Sequence, residues 1–175
     1  MAQKWRERRA PPPLDAERLD RIALRYVERY ATTRAKLAAY LERKLRERGW
    51  AGDAAPDVAG LVERFAELRY VDDETFAATR TASLMRRGYG PRRVTASLRA
   101  AGVEDAGVRD DDRAVWEAAL AFARRKRIGP FAAVEPDRAG REKAFAAMMR
   151  AGHDPALARR IAYAAPDQVP TWDEG

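Results

Sequence analysis

Residues 72–102 read DDETFAATRTASLMRRGYGPRRVTASLRAAG, and the punctuation of this stretch decides the fold class. Asp72, Asp73 and Glu74 suit a helix N-terminus, where free amides carry partial positive charge. A helix is expected from there to about Arg87. Gly88, Tyr89 and Gly90 break it, and Pro91 starts another, because the missing N–H of proline has no intrahelical partner in a first turn. Gly102 ends that second helix.

The same grammar extends in both directions. Leu19, Ile22, Ala23, Tyr26, Val27 and Tyr30 recur at the spacing of one helix face. The next helix starts near Thr32 or Thr33, whose hydroxyl can cap free amides, carries Leu37, Leu41 and Leu45, and ends at Gly49. A third carries Val58, Leu61, Val62, Phe65 and Leu68. Downstream, Asp110, Asp111 and Asp112 precede a longer helix with Val115, Trp116, Ala119, Leu120 and Phe122. Two more hold Phe145, Met148 and Met149 before Gly152, and Leu157 and Ile161 after Asp154-Pro155. No segment alternates with period two, so no sheet is expected, and the chain reads as all-α with eight or nine short helices.

Gly49, Gly102 and Gly152 stop the second helix of each group, and Leu45, Leu98 and Met148 lie four residues before them. This points to tandem three-helix units, each burying its apolar face on the next, which stack into an elongated array; the alternative is a chance match, since glycine ends many helices and short amphipathic helices resemble one another. The expected boundaries are an extended, solvated and disordered basic, proline-rich arm at 1–13, repeats at 14–70, 71–110 and 111–165, and an unstructured tail at 166–175. The last helix of the second repeat can extend beyond 110. The third repeat is divergent, as terminal repeats are.

The 175 residues hold 34 Lys plus Arg against 27 Asp plus Glu, a formal charge of +7, with a pI near 10.0. Acidic partners such as nucleic acid are favoured. There is no cysteine, which excludes disulfides, thiolate nucleophiles and cysteine-based zinc sites and suits a reducing cytoplasm. No apolar run reaches transmembrane length and none follows the basic start as a signal peptide would, so no membrane association is expected.

Catalysis finds little support. The sole histidine, His153, follows a helix-ending glycine with no Cys or Ser motif beside it, so a surface or capping role is expected. The aspartates at 110–112 lack the spacing of a calcium loop, and Gly88-Tyr-Gly90 lacks the rest of a phosphate loop. Neither metal nor other cofactor is expected, and the chain reads as a non-enzyme.

The strongest local charge bias lies between Arg80 and Ala101, where Arg80, Arg86, Arg87, Arg92, Arg93 and Arg99 occur without an acidic residue. Planar guanidinium groups bind phosphate or carboxylate with two hydrogen bonds, and Tyr89 can stack on a base or fill a partner's pocket. The plainer alternative is that these arginines solvate two helices joined by a tight connection. Lys36, Arg43, Lys44, Arg46 and Arg48 form a second run, diluted by Glu42 and Glu47, that reads first as a charged surface helix and second as a contact. The run Arg124, Arg125, Lys126 and Arg127 either complements a helix C-terminus or joins the contact surface. Trp5 and Trp172, in the two ends, are candidate anchors.

The segment Tyr70 to Ala78, followed by Arg86-Arg-Gly-Tyr-Gly-Pro-Arg-Arg-Val94, then Leu98 and Ala101-Gly-Val103, closely resembles the central signature of the RecX regulators. Tyr26 to Leu37 with Lys44 to Trp50 resembles the first repeat of that family, and Arg141 to Gly152 more loosely its third. The resemblance implies a curved array of three three-helix repeats in the groove of the RecA filament on single-stranded DNA. It also implies inhibition of RecA's ATP hydrolysis, strand exchange and co-protease activity. The implied partners are RecA and single-stranded DNA, touched directly or through the filament, with the chain a monomer. The proline-rich arm, the long second helix and the divergent third repeat depart from the pattern. A stand-alone basic, helical nucleic-acid-binding protein is the alternative reading.

Overall fold

The computed structural model describes residues 11–104 and 111–172. It is all-α. In order, the helices are α1 (Ala16–Arg29), α2 (Arg34–Arg48), α3 (Val58–Glu67), α4 (Asp73–Arg86), α5 (Pro91–Arg99), α6 (Asp112–Lys126), a 3-10 turn at Gly129–Phe131, α7 (Arg138–Arg150) and α8 (Pro155–Ala162). Among the described residues there is no strand, only an isolated parallel bridge between Leu14 and Trp50. The chain divides into two compact units, one up to Asp73 and one from Glu74 on.

The caps explain where the helices start. Thr33 accepts a hydrogen bond from the Lys36 amide and begins α2, and Asp111 accepts from Arg113 and Ala114 and begins α6. Asp154 accepts from the Ala156 amide ahead of Pro155 at the first position of α8. The ends share one device. After α3, α4, α5, α6 and α7, a residue with positive φ (Arg69, Gly88, Gly102, Arg127 and Gly152) donates its amide three residues back, and the next residue donates five back. This closes otherwise unpaired carbonyls. Gly49 ends α2 differently, with its amide bonded to Leu45 at 2.8 Å, and Leu45 is half-buried where Leu98 and Met148 are buried. Glycine spacing alone therefore does not set a repeat register, because the same cap recurs at five helices.

In the first unit α2 packs on α1 and α3 over a core of Leu19, Ala23, Leu37, Leu41, Leu61 and Phe65. Leu14 is fully buried, its amide bonded to the Gly49 carbonyl and its carbonyl to the Ala51 amide. The expected solvated arm is corrected in part. Pro11–Pro13 are exposed, yet Arg48 donates to the Pro12 carbonyl and Arg18 to the Pro13 carbonyl. Proline lacks a donor but keeps a strong acceptor. The rest of the arm, with Trp5, lies outside the described residues, as does Asp110.

In the second unit α8 packs on α6 and α7 around Trp116, Phe122, Met148 and Ile161, with many alanines between them. A smaller cluster joins Ala77, Leu84, Val94 and Leu98. The tail expected to be unstructured after Pro166 is packed as far as Trp172. The Asp167 amide donates to Pro130, Arg160 donates to the Thr171 carbonyl, and the Trp172 ring lies 5.9 Å from that of Trp116. A large indole gains from leaving water, which composition-based reading of a tail does not weigh.

Candidate functional site

Two similar corners define the second unit. Gly88-Tyr-Gly-Pro91 joins α4 to α5, and Gly152-His-Asp-Pro155 joins α7 to α8. They lie against each other backbone to backbone: the Gly90 amide donates to the Ala151 carbonyl at 2.9 Å and the Arg92 amide to the Gly152 carbonyl at 3.2 Å. A Cβ added at Gly90 would sit 2.4 Å from the Gly152 oxygen, so the approach requires glycine.

His153 completes the junction. Its Nε2–H donates to the Gly88 carbonyl at 3.1 Å, and its ring lies 5.6 Å from that of Phe122. The expectation of a surface or capping histidine is corrected, since the side chain is 0% exposed. Burial pushes its pKa below the usual 6.5, against a smaller opposing effect of the bond to Gly88. The residue is a neutral strut between two turns, with Nδ1 buried and unpaired.

This junction sets Tyr89 between the two hydrophobic clusters of the unit. The guanidinium carbons of Arg87, Arg93 and Arg125 lie 5.5, 5.8 and 6.0 Å from its ring centre, and Arg125 also donates to the Arg87 carbonyl. Cations over a ring face are attracted by its quadrupole. Tyr89 lines two concavities: one of about 460 Å³ with Arg80, Arg87 and Arg93, where Arg80 donates to Ser97. The second, a cleft of about 530 Å³, gathers Arg93, Lys126, Arg127, Lys143 and Arg150. Its remaining lining is largely apolar: beside Tyr89 and Phe122 it includes Ile128 and the small residues Ala144, Ala147 and Ala151.

Thus Arg80, Arg87, Tyr89, Arg93, Arg125, Lys126 and Arg127, chosen from two separate runs of sequence, share one surface. Arg86 and Arg99 are exposed but line neither concavity, Arg92 faces Asp154 at 3.8 Å, and Arg124 lies over Phe131. Lys36, Arg43 and Lys44 belong to the other unit. There Arg43 and Lys44 pair with Glu47, and the bond from Lys44 leads the effects holding that carboxyl below its usual pKa. Both also lie over Tyr40, whose ring stacks on Tyr26 at 4.1 Å. Sequence reading missed Lys143 and Arg150. Their signal was the helical spacing of 143, 147 and 150, which puts two cations and an alanine on one face of α7. Among the described residues, no group of three metal-ligating side chains is close enough to hold an ion.

The family model described as RecX, second three-helix domain, matches residues 72–109. The regulatory protein RecX of Myxococcus xanthus (strain DK1622) is 30% identical over 171 residues, covering 91% of each chain. The chain belongs to the RecX family. A RecX of Mycobacterium sp. (strain JLS) is 36% identical over 96 residues, 54% of this chain and 51% of that protein. The crystal structure of RecX from Lactobacillus salivarius superposes with a TM-score of 0.65 over 83% of this chain and 92% of that one, at 17% identity, and so shares its fold. In this RecX-family chain the matched segment carries α4, the Tyr89 corner and α5, and therefore all six arginines between Arg80 and Arg99.

Proposed function

We propose that this RecX chain binds the RecA filament on single-stranded DNA and inhibits ATP hydrolysis, strand exchange and co-protease function, with no catalytic step of its own. It does so as a cytoplasmic monomer. No helix among the described residues is long and apolar enough to cross a membrane. The observation that carries the reading is the cluster of Arg87, Arg93 and Arg125 around Tyr89, an exposed cationic surface on a rigid corner. Fixed guanidinium groups suit both the carboxylates of a protein and the phosphates of a strand. Family membership supplies the regulatory role, and the basic surface supplies a way to meet a filament that contains both partners.

The deciding experiment is RecA's ATP hydrolysis on single-stranded DNA, with this protein added below one copy per RecA subunit and a RecA-free DNA-binding control alongside. Strong inhibition at amounts that leave bare DNA largely unoccupied is expected. No inhibition, with tight salt-sensitive binding to DNA alone, would favour a stand-alone nucleic-acid-binding protein instead. Replacing Arg86, Arg87, Arg92 and Arg93 together by alanine should reduce inhibition while helical content is unchanged. Full inhibition by that folded variant removes the basic corner from the contact.

A further inference from the structure

Resting on the reading above that this basic surface meets a partner, we propose that the cleft beside Tyr89 binds an acidic peptide segment carrying one apolar side chain. Five cations, Arg93, Lys126, Arg127, Lys143 and Arg150, line it, and no acidic residue does. Four other cations of the unit do face carboxylates: Arg92 with Asp154, Arg113 with Glu117, Arg138 with Glu142 and Arg141 with Glu135. Among the described residues, none of the five cleft cations has an ion-pair partner. They converge from α5, the end of α6 and the length of α7 on one concavity. Charge of the opposite sign is what the cleft lacks.

The floor identifies the rest of the ligand. Ile128 with Ala144, Ala147 and Ala151 gives an apolar surface, and the small alanines leave the volume of about 530 Å³ open. A volume of that size suits a short segment with one large apolar group. A nucleotide strand brings negative charge too, but its bases bind without sequence preference by stacking on open aromatic faces. Here the Tyr89 ring is already faced by Arg87, Arg93 and Arg125, Phe131 by Arg124, and Phe122 is buried. Carboxylates match the rim through charge-assisted hydrogen bonds, and an aliphatic or aromatic side chain matches the floor.

The test is fluorescence anisotropy on the full chain with three labelled probes: a short Asp- and Glu-rich peptide with one central Phe, the same peptide with Ser in that place, and an oligothymidylate of equal net charge. The Phe peptide should bind about tenfold or more tightly than the Ser peptide, the usual worth of one large group in an apolar pocket. Lys143→Glu with Arg150→Glu, both exposed and outside the core, should abolish peptide binding. Ala147→Phe, filling the floor, should remove the preference for Phe over Ser. Equal binding of the two peptides to the unaltered chain, or tighter binding of oligothymidylate than of the Phe peptide, overturns the proposal; the unaltered chain decides this even if Ala147→Phe fails to fold. No RecA is present in these titrations. Absent peptide binding with intact inhibition of RecA's ATP hydrolysis therefore removes the peptide site alone, whereas absent inhibition with intact peptide binding removes the filament and keeps the peptide site.

Discussion

Gly90 and His153 carry more of this structure than their size suggests. With a Cβ at position 90 only 2.4 Å from the Gly152 carbonyl oxygen, Gly90→Ala has nothing flexible to push aside. It should destabilise the protein by about 1–3 kcal/mol, the usual range for overpacking, read from urea unfolding. His153 is the sole histidine and is held neutral by burial, its pKa below 6.5, so the unfolded chain binds more protons than the folded one as pH falls through that value. Its stabilising contribution is complete above about pH 7 and declines as pH drops toward and through the lowered pKa. Thermal midpoints should fall between pH 7.5 and 5.5, and His153→Gln, which can still donate to Gly88, should flatten that dependence. A histidine variant with an unchanged slope would place the titrating group elsewhere. Nothing around His153 in the sequence announces burial, because its partner, Gly88, is 65 residues away.

Helix beginnings and ends were legible because they are local. Thr33, Asp111 and Asp154 cap through amides two or three residues ahead, and Pro91 and Pro155 sit in first turns, all within one window of sequence. Asp111→Ala should cost about 1 kcal/mol and Asp111→Ser almost nothing, since serine also caps; chemical denaturation of the two variants measures the difference. The left-handed caps at Arg69 and Arg127 were not legible. They place non-glycine residues at φ 62° and 54°, and their sequence signal is silent where Gly88, Gly102 and Gly152 speak. Either arginine replaced by glycine should leave stability unchanged or raise it, as the positive φ then carries no steric penalty, and the same urea titration reports the sign. The charged surface of α2 was also foreseeable, with Arg43 and Glu47 four residues apart.

For the whole chain, each unit has its own hydrophobic cluster. Those around Trp116 with Ile161 and around Val94 with Leu98 draw only on residues after Asp73. A fragment beginning at Glu74 should therefore keep its helical circular dichroism and a cooperative melt. Loss of both would show that its core depends on residues before it. Local sequence already shows that the protein is helical, where most helices start and stop, that it is basic, and that its central signature is that of the RecX regulators. Those properties depend on side-chain periodicity, caps and composition, which act over a few residues or over none. Tertiary structure alone decided which arginines share a surface, that Lys143 and Arg150 join them, that His153 is buried and that Trp172 is packed. Each of these depends on burial and on contacts between segments far apart in sequence, and the free energy of taking a group out of water is set only once its neighbours are in place.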